Sequence, residues 1–136
     1  MKKLLFIAVC CLMLCGCGNK TNSNLETTCT SNAELSDGRM NYYTWTFYHN
    51  NNTINKKSWM RSYEYKNLSE AIKEEERAKE NCENTDYYCN VSRNDNIITY
   101  YISYNCGKAS ISNTDECNYY NEIKSLENNG FKCKED

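Results

Sequence analysis

Six cysteines carry most of the chemistry this chain can offer: Cys29, Cys82, Cys89, Cys106, Cys117 and Cys133. Four more, Cys10, Cys11, Cys15 and Cys17, lie within a hydrophobic leader at the start of the chain. An even number of cysteines in a small exported domain argues for disulfides. The rival is a metal site, which needs spacings such as C-x-x-C or clustered histidines. The chain has no C-x-x-C, and its single histidine, His49, is distant in sequence from every one of the six. No metal and no cofactor is expected.

Six cysteines allow fifteen pairings. Cys82 and Cys89 flank an expected helix-to-strand turn, which makes them natural partners. Cys106 ends an expected strand and Cys117 lies near the start of the next helix, so the two can meet across a short loop. Cys29 and Cys133 then remain, joining the first strand to the last. Cys117 with Cys133 competes, although a helix between them would hold them apart.

Nucleophilic catalysis has little to work with. The sequence contains no G-x-S-x-G, no H-E-x-x-H and no glycine-rich phosphate loop. A Ser–His or Cys–His pair would have to use His49, which sits beside an asparagine run and reads as an exposed turn residue. Asp115-Glu116 is a possible carboxylate pair, but acidic residues early in a helix ordinarily answer its dipole. No catalytic residue is assigned.

Aromatic side chains hint at binding instead. There are 12 tyrosines and two tryptophans, and several tyrosines come as doublets. On a strand, one member of each doublet faces away from the other. Tyr42, Tyr48, Tyr87 and Tyr101 are the candidates for an outward binding surface that stacks on a sugar or a partner protein.

The first 17 residues set the expected location. Lys2 and Lys3 form a positive start, and Leu4 to Leu14 are 11 uninterrupted apolar residues. A permanent membrane helix needs about 20. Leu14-Cys15-Gly16-Cys17 looks like a bacterial lipobox, which makes Cys17 the expected lipidation site and residues 1–16 a cleaved signal. A diacylated Cys17 supplies two chains, enough for a stable anchor. Residues 17–24 are polar and form a lipidated tether, with a reach of roughly 15 Å over its seven unlipidated residues.

Removing residues 1–16 from 136 leaves 120, enough for one domain. The whole chain has 16 basic and 18 acidic residues, and Lys2 and Lys3 leave with the signal, so the mature net charge is −4. There is no basic stripe of the kind a nucleic-acid binder carries. Nucleic acid is not an expected partner.

The elements that must position these residues follow from periodicity. Leu25 to Thr30 is a short first strand, followed by the turn Ser36-Asp37-Gly38. Met40 to His49 alternates, with Tyr43, Trp45 and Phe47 on one face and Tyr42, Thr44, Thr46 and Tyr48 on the other. Thr53 to Tyr65 completes a hairpin across an asparagine loop. Asn67 and Glu70 form a capping-box start for a helix to about Cys82. Its expected inner stripe is Leu68, Ala71, Ile72, Ala78 and Cys82, interrupted by Glu75 and Lys79. Glu70, Lys73, Glu74, Glu76, Arg77 and Glu80 form its expected solvated face.

Tyr87 to Ser92 and Ile97 to Tyr104 form a second hairpin around Arg93-Asn94-Asp95-Asn96. A second helix is capped near Asn113 to Asp115, uses Tyr119, Ile123 and Leu126 as its apolar face, and ends before Gly130. Phe131 to Lys134 adds a last strand. The expected fold is α+β: an antiparallel sheet of two hairpins plus short edge strands, two helices on one face, disulfide-stabilised, in a single domain over residues 25–136.

The lipobox, Cys29-Thr30, the hairpin–helix–hairpin order and the closing LENNGFKCK of Leu126 to Lys134 resemble the small YehR-type lipoproteins, a family of unknown function. Cys82, Cys89, Cys106 and Cys117 depart from that family's simpler two-cysteine pattern. The resemblance carries over no catalytic residues. The expected function is a monomeric, non-enzymatic binding module, lipid-anchored on the extracytoplasmic face of a cell membrane, with an envelope protein or glycan as partner. The alternative is an envelope enzyme acting on glycans or thiols.

Overall fold

A computed structural model describes residues 25–106 and 117–136. The leader 1–16, Cys17 with its tether 17–24, the Asp115-Glu116 pair and the helix start expected at Asn113 to Asp115 lie outside the described residues.

Six strands and two helices follow in the order β1 (Leu25–Glu34), β2 (Met40–Asn50), β3 (Thr53–Glu64), α1 (Leu68–Glu83), β4 (Tyr88–Asn94), β5 (Ile97–Asn105), α2 (Tyr119–Asn128) and β6 (Lys132–Glu135). The strands form one open sheet in the order β4-β5-β3-β2-β1-β6, antiparallel throughout. β1 differs from its expected role as a short edge strand. It is 10 residues long and lies inside the sheet, between β2 and β6. The register explains this, because β1 pairs along its whole length with the aromatic-rich β2.

Short polar connections set the register. Asn51 and Asp95 take φ of +52°, a left-handed conformation that Asn and Asp tolerate, and each sits in a two-residue connection between paired strands. The β1–β2 connection closes with Gly38 N–H donating to the Leu35 carbonyl at 2.9 Å, with Gly38 at φ +84°. Between Tyr48 and His49 the register shifts, and His49 comes opposite Ile54.

Cross-strand partners project to the same side of a sheet. One such row runs Cys133, Cys29, Trp45, Trp59, Ile102, Cys89, from one cystine to another. The three cysteine pairs at disulfide distance are Cys29–Cys133, Cys82–Cys89 and Cys106–Cys117, with Cα separations of 4.0, 5.3 and 5.9 Å. The first ties neighbouring strands, the second ties α1 to β4, and the third joins the end of β5 to the segment just before α2.

Apolar burial falls into two clusters. One joins Cys29, Phe47, Ile54 and Tyr119 with Trp45, Ile123, Leu126, Phe131 and Cys133. The other joins Ala71, Ala78, Val91 and Ile98 with Tyr65, Cys82 and Tyr100. The inner stripe of α1 is therefore Ala71, Ala78 and Cys82, whereas Leu68 and Ile72 are 51% and 39% exposed. Glu74, expected on the solvated face, instead accepts a hydrogen bond from Tyr100 Oη at 2.9 Å.

Both helices carry the expected end signals. Asn67 Oδ1 accepts from Glu70 N–H at 3.0 Å while Asn67 Nδ2 donates to Glu70 Oε1 at 3.2 Å. α2 starts later than its sequence suggests, with Asn118 as N-cap accepting from Asn121 N–H at 3.0 Å. Its first residue is fixed from outside the helix, since Tyr119 N–H donates to the Asn52 carbonyl at 2.9 Å. Gly130, at φ +84°, ends it as a Schellman motif: Gly130 N–H bonds Glu127 O at 3.0 Å and Phe131 N–H bonds Leu126 O at 3.1 Å. Among the described residues no helix is long and apolar enough to cross a membrane.

Candidate functional site: an arginine and tyrosine cleft

β3 runs through the middle of the sheet, paired on one side with β2 and on the other with β5. Over it opens a cleft of about 470 Å³. Its walls combine β3 residues Trp59, Arg61 and Tyr63 with Tyr100 of β5, Glu74 and Arg77 of α1, and Arg39 from the β1–β2 connection. That size falls within the range of small-ligand sites.

Arg61 stands in the cross-strand row Ser31, Tyr43, Arg61, Tyr100, Val91, in which its neighbours on both adjacent strands are tyrosines. Its guanidinium carbon lies 3.7 Å from the centroid of the Tyr63 ring and 4.8 Å from that of Tyr43. Arginine is weakly hydrated and stacks well on aromatic faces, which makes this placement favourable. Its Nε is buried and has no hydrogen-bond partner among the described residues.

The other charges of the cleft are already matched. Arg39 Nε donates to both oxygens of Asp37 at 3.0 Å, and its Nη1 reaches the Glu64 carbonyl at 3.4 Å. The Arg39 guanidinium lowers the Asp37 carboxyl to about 2. Arg77 Nη2 donates to Glu74 Oε1 at 2.6 Å. Burial, then the hydrogen bond to Glu74, pushes the Tyr100 phenol well above its ordinary range. Burial, then the Glu74 charge, raises Tyr65 in the same direction. Both phenols therefore stay neutral and keep their hydrogens. Arg39 lies against Asp37, which Lys66 shares at 3.4 Å, and Arg77 lies against Glu74, whereas Arg61 has no ion-pair partner among the described residues.

A second buried polar atom without a partner, Asn41 Oδ1, belongs to the cross-strand partner of Tyr63, one row from Arg61. The two orphaned atoms in this region are thus a donor and an acceptor.

The tyrosines singled out in the sequence do not assemble into one surface. Tyr42, Tyr48 and Tyr101 fall on the opposite side of the sheet from Arg61 by strand alternation, whereas the Tyr87 ring meets Tyr104, at 6.3 Å. Tyr42 is 49% exposed and lines a second, shallower cleft of about 410 Å³ with Thr30, Thr44 and Lys132. Tyr48 lies six residues further along β2, roughly 20 Å away, and its ring carries Lys56 Nζ at 5.6 Å. Tyr101 packs edge-on against Tyr88 at 5.9 Å. Between them the register places Thr28, Thr46, Ser58 and Ser103 in one row, a hydroxyl stripe.

His49 is not an exposed turn residue. It is 1% exposed and stacks on the Tyr119 ring at 3.7 Å. Its Nε2 lies 3.0 Å from Thr27 Oγ1 and its Nδ1 3.2 Å from the Asn51 carbonyl. Thr27 Oγ1 also meets Tyr119 Oη at 2.8 Å, and Glu135 Oε2 closes the group at 3.6 Å from His49 Nε2. His49 follows Phe47 at period two, so strand alternation places it on the same buried face, and the extra residue of the bulge lies on β3, between Ile54 and Lys56. Among the described residues no group of three or more His, Cys, Asp or Glu side chains is placed to hold a metal ion.

Sequence reasoning missed Arg61. The available signal was the spacing Trp59-x-Arg61-x-Tyr63, a charge in line with two aromatics on one face of a strand. Compared with family models, curated proteins and solved structures, the chain matches none.

Proposed function

We propose that this chain is a lipid-anchored cell-envelope protein of the YehR-type kind, held through Cys17 on the extracytoplasmic face of a membrane, and that it works as a monomeric binding module. The observation that carries the binding role is the cleft over β3, where Arg61 is stacked on tyrosines and has no counter-charge among the described residues. The lipobox at Leu14 to Cys17 supports the anchor. The paired cysteines suit an oxidising compartment outside the cytoplasm.

The architecture behind this reading is two hairpins, β2–β3 and β4–β5, with both helices over one face. Its support is the register. Cys29, Trp45 and Cys133, which pack with α2, share a cross-strand row with Cys89, and Val91, which packs with α1, shares the next row with Arg61. Two helices standing over opposite ends of the same face leave β3 open between them, and the cleft lies there.

The six described cysteines are all in pairs at disulfide distance, so any action on thiols would run through exchange at one of those disulfides. The anchor is tested by expressing the full chain in a bacterium fed labelled palmitate. The label is expected in the membrane fraction on the wild-type chain and absent from Cys17→Ala. An unlabelled wild-type chain would remove the anchor.

A further inference from the structure

We propose that the cleft binds a carboxylate-bearing saccharide, with Arg61 as the residue that takes the carboxylate. This deepens the binding reading and rests on it. Charge sets the first constraint. Arg39 and Arg77 each lie against a carboxylate, Asp37 (shared with the exposed Lys66) and Glu74, so among the described residues Arg61 is the lining cation without one, and the cleft suits a single negative charge. A carboxylate carries that charge and fits the guanidinium fork, whereas a phosphate monoester brings nearly twice as much.

The walls set the second constraint. Trp59 and Tyr100 line the cleft beside Arg61, with Tyr63 and Tyr65 stacked under Arg61 and Arg39. A sugar ring has an apolar C–H face that packs on such rings and hydroxyl edges that meet phenols and the Asn81 amide. The backbone sets the third. β3 is paired on both sides, so an acidic peptide could not add itself as a strand there.

Tyr43 and Tyr63 are the positioning residues. Stacking holds the guanidinium across the cleft before any ligand arrives, which reduces the ordering cost of binding. The remaining Nη donors are then aimed rather than floating.

The test is calorimetric titration of the purified full chain with the methyl glycoside of galacturonic acid, which bears one carboxylate, its methyl ester and inorganic phosphate. The acid is expected to bind, and the methyl ester, which keeps the ring and loses the charge, to bind at least tenfold more weakly. Phosphate at equal concentration should not displace the acid. Arg61→Gln should lose tenfold or more, Arg61→Lys should recover part of that loss, and Tyr42→Ser on the other face should bind as wild type does. Equal binding of acid and ester, displacement by phosphate, or no binding at all would each overturn the proposal. The ester and phosphate arms need no variant, so they decide the matter even if Arg61→Gln fails to fold. Failure here with a labelled Cys17 would sink the ligand and leave the anchor standing.

Discussion

Lys57 carries a charge where there is almost no water. It is 2% exposed and its ammonium lies 3.2 Å from Glu122 Oε1, a partner supplied by α2. Removing one partner of such a pair leaves a buried charge uncompensated, which costs far more than replacing the charge itself. Glu122→Gln is therefore expected to cost about 3 kcal/mol in urea unfolding. Lys57→Met is expected to stay within about 1 kcal/mol, because Glu122 remains in reach of water. Equal losses from both would contradict this account of the pair. Lys57 was not legible in the sequence: alternation assigns a side chain to a face, but the partner that makes this inward charge tolerable comes from α2, remote in sequence. Arg61 was missed although Tyr63, one of its stacking partners, lies two residues away on the same strand. His49 was misplaced because a residue beside a polar loop reads as exposed, although alternation puts it on the buried face of Phe47.

The tyrosines give a pH dependence at the same scale. Tyr48, Tyr65, Tyr100 and Tyr119 all have raised pKa values, each chiefly through burial, with Glu26, Glu74 or Glu135 adding to it. A phenol raised in the folded state keeps a proton that the unfolded chain gives up above about 10. The stability it contributes is complete below that pH and is lost as pH climbs beyond it. Stability is thus expected to fall above about pH 10, with phenolate absorbance from these four appearing together with unfolding. Their full ionisation in a still-folded protein would refute the burial argument.

At the scale of elements, most end signals were readable, as was the apolar face of α2, whose Tyr119, Ile123 and Leu126 all pack in the core, while the face of α1 was readable only in part. The Asn67–Glu70 capping box and the Gly130 stop depend on local chemistry alone. Asn67→Ala is expected to cost about 1 kcal/mol and Gly130→Ala about 1–2 kcal/mol, the latter from forcing a Cβ into the left-handed region. Nothing stands within 4 Å of where that Cβ would go, so strain in φ rather than collision sets the cost. Thermal melts separate these values from the near-zero effect expected at exposed Lys73. The inner stripe of α1 misled because hydrophobicity favours bulk while close approach to β4 and β5 favours small residues, and Ala71 and Ala78 won over Leu68 and Ile72. The start of α2 shifted because a hydrogen bond to Asn52 in the β2–β3 connection, invisible to local pattern, fixes Tyr119.

For the molecule as a whole, the cystines join what the sheet alone would leave loose. Cys29–Cys133 closes a separation of 104 residues, against 7 and 11 for the others. The chain-entropy model assigns about 4–5 kcal/mol to the long closure and about 2.5–3 to each short one, as upper values. Replacing Cys29 and Cys133 by serine is therefore expected to lower the urea midpoint more than either short pair does. Cysteine spacing made all three pairs legible, because the expected strands and helices brought each pair within reach of its partner. The cleft was not legible, because it lies between two packing clusters that meet β3 from opposite ends of the sheet.

The intact mass of the protein recovered from a bacterial membrane fraction tests the central claim most directly. The expected species begins at Cys17, carries a diacylglyceryl group, and is six hydrogens lighter than its fully reduced form. A full-length, unacylated chain in the cytosol with all ten cysteines titratable as thiols would contradict it.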